Sequence, residues 1–207
     1  MAGEISATHW GVEDMKRLRS ILAITMLFSA FAVSVGSPAG WAGSRTATVD
    51  FGTLESVARA SSGDTVKISG SGTFSLHPKS ISGDGNLVQA AFGPVPRTFT
   101  HRDAGGNVLA EGTWEPTAVL SYSSYGPATE EQNAFFGGLP EGSEGGKVKV
   151  KVALFVDGVH VHDGILTIVC ELGQPPTNSV EETLLLVQDT PFNFNEVVSG
   201  DNIFIRH

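Results

Sequence analysis

The chain has 207 residues, with 13 Lys and Arg against 22 Asp and Glu, a formal net charge of −9 and a single cysteine. That balance excludes a nucleic-acid binder, whose affinity rests on Lys and Arg density, and it disfavours anionic membrane surfaces for the same reason. One cysteine excludes an internal disulfide, so a hydrophobic core or a partner must stabilise the fold.

From Met15 the chain reads MKRLRSILAITMLFSAFAVSVGSPAGWAG. Lys16, Arg17 and Arg19 form a basic head, residues 21–35 are uncharged and mostly apolar, and Gly40 and Ala42 stand at positions −3 and −1 of a cut after Ala42. This is the anatomy of a secretory signal peptide. The apolar stretch is shorter than the about 20 residues of a membrane span. Residues 1–14 carry Glu4, Glu13 and Asp14, which do not suit a basic head, so they read as an extension upstream of a true start at Met15. The expected organisation is residues 1–14 as that extension, 15–42 as signal peptide and 43–207 as one all-β domain. A domain of that size buries roughly 68–70% of its unfolded surface. The mature protein is expected to be secreted or periplasmic, with the net charge almost unchanged by the cut.

Beyond residue 42 helical periodicity is almost absent, and short runs of β-branched and aromatic residues alternate with Gly-containing turns. Strands are expected at 65–70 and 72–77, followed by a turn at 82–86. Residues 97–102 and 107–114 flank DAGG at 103–106, a hairpin signal because Gly supplies the positive φ of tight turns. A further strand at 117–125 follows Pro116. The most regular run is KVKVKVALFV at 147–156. Val148, Val150, Val152, Leu154 and Val156 share one face, while Lys147, Lys149 and Lys151 share the other, so period two sends the apolar set to a core and the lysines to water. Residues 165–172 return with Leu166, Ile168, Cys170 and Leu172 on one face. Cys170 therefore reads as a small buried hydrophobe rather than a reactive thiol. Strands at 183–188 and 202–206 complete a set of eight to ten, and 191–196 reads as an edge strand or extended loop. Such a series implies a single antiparallel β-barrel or β-sandwich, with hairpin-like neighbours favouring the barrel. Trp114, Tyr122 and Tyr125 are too few for the aromatic girdles of an outer-membrane barrel, so no stable membrane insertion of the mature chain is expected.

Little here reads as chemistry. A phosphate loop, a dinucleotide fingerprint and a nucleophile elbow are all missing from the sequence, and no catalytic residue is assigned. Glu111 and Glu115 flank Trp114 in a way a glycosidase could use, but solvated strand-end charges explain them more simply. His160 and His162 lie two apart in VDGVHVHDG. On a regular strand both would face one side and could hold a divalent metal, given a third ligand from His101, His77, Asp157 or Asp163. Against that, Asp157-Gly158 and Asp163-Gly164 are turn dipeptides, and the favoured reading makes residues 156–164 the exposed end of a hairpin. Residues 126–146 lack strand alternation over a length that is uncommon inside a compact domain. Phe135 and Phe136 in that segment read either as a lid presenting rings to a ligand or as plugs of a packed loop. Trp114 and Tyr122 are candidate pocket-lining aromatics, with the core as the competing destination.

Three functional expectations follow. The first is an exported, non-catalytic all-β domain acting by binding or assembly outside the cytoplasm, with a small molecule or an extracellular protein as partner. The second is a carrier holding a small apolar ligand inside a barrel, with residues 126–146 as lid. The third is a metal-binding protein or metalloenzyme centred on His160 and His162.

Overall fold

The computed structural model describes residues 47–207, so the signal-peptide and upstream-extension readings lie outside the described residues. Ten strands and two short helices follow in chain order: β1 (Thr48–Ala60), β2 (Thr65–Leu76), β3 (Lys79–Ser82), α1 (Asn86–Phe92), β4 (Thr98–Arg102), β5 (Val108–Pro127), α2 (Glu130–Phe135), β6 (Ser143–Val156), β7 (Val159–Cys170), β8 (Glu182–Val187), β9 (Asn193–Ser199) and β10 (Asn202–Arg206). The fold is all-β, as expected. Among the described residues no helix is long and apolar enough to cross a membrane.

The strands close into an uneven antiparallel ring. It runs β1-β2-β4-β5-β6-β7-β8-β9 and returns to β1, with β3 paired to the outer half of β2. β10 makes it uneven. It pairs with Val49–Thr53 at the start of β1 and with Ser143 and Glu144 at the start of β6, while β9 and β7 pair with the later parts of those strands. One end of the ring is therefore spanned by β7, β8 and β9, and the other is drawn in by β10 alone. Fewer strands round a ring mean a narrower interior, which places the fold between a barrel and a sandwich.

Alternation builds the ring where it was legible. In β6, Val148, Val150, Val152 and Leu154 are buried while Lys149 and Lys151 are exposed. β5 holds to the same rule by a less visible route. It is one strand through Pro116, where the sequence suggested two, and its register against β6 shifts between Pro116 and Ala118, Val119 and Ser121, and Ser124 and Gly126. Each shift inserts one unpaired residue, so Trp114, Val119 and Tyr122 all stay on the face of Leu154, Val150 and Val148.

Several elements were not anticipated. β1 was missed altogether, although it pairs with β2, β9 and β10. Its register shifts between Thr53 and Ser56, which breaks the period-two signal in the sequence. The expected turn at 82–86 leads instead into α1, which lies on the outside of β1 and β10. There Val88 occupies the space that a side chain at Gly52 would fill, with a Cβ there only 2.6 Å from Val88 Cγ1. The supposed long loop at 126–146 is mostly ordered structure: β5 runs to Pro127, β6 begins at Ser143, and α2 lies between them. Thr129 caps α2 by accepting from the Gln132 amide, and the Gln132 side chain accepts from the Thr129 amide in return.

The interior is filled by side chains. Phe51, Phe74, Tyr122 and Phe204 meet ring against ring at the β10 end, with centroids 4.9–6.2 Å apart. Trp114, Leu154, Phe194 and Val66 continue the same core toward the other end. Trp114 is 2% exposed, and its indole N–H donates to the Ser69 carbonyl at 2.8 Å. It lies over Gly70, where a Cβ would come within 2.3 Å of the ring. Each such fully buried side chain is worth about 1.5–3 kcal/mol.

Candidate functional site

The β6–β7 hairpin turns on two residues. Val156 pairs with Val159, and Asp157 and Gly158 have φ of 50° and 75°, the pattern that lets a two-residue turn follow strand twist. Residues 157–163 are exposed, as the hairpin reading requires, while Val156 is half-buried and Gly164 buried, and most of the stretch is strand rather than loop. His160 pairs with Phe155 and His162 with Leu154, and the register shift between those pairs leaves Val161 unmatched. Leu154 points into the core, and its neighbour Phe155 points the other way. Cross-strand partners share a face, so the bulge turns the two histidines to opposite faces, where an unbroken strand would have aligned them.

The proposed third ligands are also dispersed. His160 Nε2 lies 3.0 Å from Asp163 Oδ1, and its ring packs against Phe155. His101 Nε2 lies 3.2 Å from Asp64 Oδ2, and its ring sits edge-on to Phe192 and Phe194 at 4.7 and 5.2 Å, closing the end of the ring. His77 is exposed beyond the far end of β2. Among the described residues no group of three His, Cys, Asp or Glu is placed to hold a metal ion.

Trp114 and Tyr122 are core residues whose polar atoms are used inside the fold. Tyr122 donates a short hydrogen bond to Glu144, and burial together with that carboxylate holds its phenol well above the ordinary value. Glu144 is 4% exposed and also accepts from Ser124 Oγ at 3.2 Å and from Arg206 Nε and Nη2 at 2.8 and 2.9 Å. A Cβ at Gly146 would lie within 2.9 Å of the Tyr122 hydroxyl, so this network needs glycine beneath it. None of this was visible in the sequence, because Glu144 sits in a Gly-rich stretch that reads as loop.

The other buried polar groups are likewise structural. Asp50 is 1% exposed and accepts from Thr73 Oγ1 and the Leu87 amide, both at 2.7 Å, and it contacts His207 Nε2 at 3.2 Å. Asn202 accepts from Thr183 Oγ1 at 2.8 Å and donates to the Val169 and Glu182 carbonyls. Those bonds tie β10 to β7 and β8 where the ring divides. Glu181 accepts from the Glu171 and Asn202 amides at 2.8 and 2.7 Å. Burial pushes its carboxyl up to about 7, outweighing those two donors, with Asp201 and Glu171 adding to the rise. Cys170 is buried, and burial with the Glu181 charge raises its thiol to about 12, so it is no nucleophile.

Phe135 and Phe136 are 69% and 59% exposed and stack edge-to-face at 5.1 Å. Rings this exposed do not plug the interior, and no residue of α2 is buried. Glu111 and Glu115 are exposed strand residues.

Two recesses open outward. One of about 520 Å³ lies beside the β6–β7 turn and includes Glu111, Phe155 and Asp157. The other, about 400 Å³, crosses the outer face from β5 to β9. Leu120, Ile165, Leu184 and Leu186 supply its apolar lining, Lys149 its cation, and Thr167, Asn193 and Asn195 its neutral polar groups. Leu120 reaches this face because it is the extra residue in the β5 bulge between Val119 and Ser121. Sequence reading missed the groove because its residues come from five strands.

The fold and these sites define an all-β ring with a filled interior and recesses on its outer surface. Comparison with protein-family models, curated proteins and solved structures returned no match.

Proposed function

We propose that the chain is an exported, non-catalytic binding domain that engages its partner through its outer surface. The observation that carries this reading is where space lies: aromatic and aliphatic side chains occupy the ring, and two recesses of about 400 and 520 Å³ lie on its outer surface. The polar groups Glu144, Tyr122, Asp50 and Asn202 are engaged in hydrogen bonds that hold strands and termini together. Among the described residues one buried side-chain polar atom, Arg97 Nε, lacks a partner. A carrier would need an interior volume, and the side chains packed inside the ring weigh against one. The export half of the proposal rests on residues 15–42 alone.

Two measurements test it. Mass spectrometry of the protein recovered from an exporting host is expected to find an N-terminus at Gly43; an uncleaved chain retained in the cytoplasm would refute export. Methyl NMR under xenon, which enters apolar cavities, is expected to leave the inner methyls of Val148, Val150, Leu166 and Ile168 unmoved. Movement there would revive the carrier.

A further inference from the structure

We infer that the groove across β5–β9 binds a single-chain amphiphile with an anionic head, of which a medium- or long-chain carboxylate is the simplest. This deepens the outer-surface reading and rests on it.

Acidic residues outnumber basic ones by 22 to 13, yet none lines this groove. Lys149 lines it, and Lys151 stands on the same face as the cross-strand partner of Ile165. Their strand neighbour Lys147 lies 3.9 Å from Glu182, and Lys67 pairs with Glu55 at 2.9 Å. Lys149 and Lys151 make no ion pair among the described residues. Lys79, from β3, donates to the Leu120 carbonyl at 3.1 Å and brings a third cation to the β5 end. A positive rim on an acidic molecule recruits anions locally against the overall field.

The groove beside these cations has an apolar lining. Leu184 and Leu186 occupy outward positions of β8, where alternation calls for polar residues. Leu186 is 42% exposed there. Ile165 lies directly between Lys151 and Leu186 in the register, so alkyl and ammonium groups adjoin. The volume of about 400 Å³ falls within the roughly 300–1,000 Å³ of small-ligand sites. A protein partner would call for a face of about 800 Å² and 20–30 residues per side, whereas eight residues line this groove. An alkyl tail along Leu120, Ile165, Leu184 and Leu186, with its carboxylate between Lys149 and Lys151, satisfies both features at once.

The test titrates methyl-labelled protein with decanoate and with decanol, each below self-association. Decanoate is expected to move the Ile165, Leu184 and Leu186 methyls, to bind at least tenfold more tightly than decanol, and to weaken as salt screens the head. Octanoate should bind more weakly by up to about fourfold per missing methylene. The K149Q/K151Q variant should bind decanoate no better than decanol, at an unchanged melting temperature because both side chains are exposed. Equal binding of decanoate and decanol in the groove would overturn the anionic head while leaving a surface binding site in place. Immobile groove methyls with either probe would overturn the groove itself. Decanoate binding untouched by K149Q/K151Q would show that the lysines are not its site.

Discussion

At the scale of single residues, Glu144 carries more than its place in a Gly-rich stretch suggests. It is a nearly fully buried carboxylate bridging β5 and β10 through Tyr122, Ser124 and Arg206. Removing one member of such a buried pair leaves the others unsatisfied. E144A is expected to lower unfolding free energy by about 3 kcal/mol, and Y122F, which loses only a donor, by about 1 kcal/mol, as read by urea denaturation. Glu181 predicts a pH dependence. Its folded value near 7 lies above its ordinary 4.5, so between those values the folded chain holds a proton that the unfolded chain has released. Stability contributed by this group is present below pH 4.5 and declines as pH rises toward 7. Melting curves should show that decline, and E181Q should flatten it across the same window. Cys170 was legible at this scale because alternation alone put it inside. Glu144 was not, because a charge in a loop-like stretch reads as solvated until a partner strand is known.

At the scale of elements, β6 and β7 were legible because their apolar residues fall on strict alternate positions. β1 and β5 were obscured by bulges, each of which resets the alternation that a linear reading depends on. The same device works against the metal reading, since one unmatched residue, Val161, separates His160 from His162. Adding zinc or EDTA is therefore expected to leave the melting temperature unchanged; a rise of several degrees with zinc, lost in H160A/H162A, would restore the site. The two-residue turn makes its own prediction. Gly158 sits at φ 75°, where a Cβ costs about 1 kcal/mol or more, so G158A should lower the denaturation midpoint without altering the slope.

At the scale of the molecule, the ring depends on its C-terminal strand. Asn202, Ile203, Phe204 and Ile205 are all buried, and β10 joins β1 to β6 across the whole length of the chain. Deleting residues 202–207 is expected to abolish cooperative unfolding, seen as loss of the near-ultraviolet circular dichroism signal, rather than merely to fray an end. Pairing so distant in sequence should also slow folding into the millisecond-to-second range, which stopped-flow refolding would measure.

By itself the sequence determined the class of the fold, the faces of β6 and β7, the fate of Cys170 and the expectation of export. Each is a local property: alternation, composition or the order of charge and apolarity over a few dozen residues at most. Tertiary structure alone decided how the ring narrows at β10, that two neighbouring histidines part company, that Glu144 and Tyr122 meet, and that five strands contribute to one lysine-edged groove. Those outcomes depend on register between strands distant in sequence, and a single bulge changes which side chains share a face.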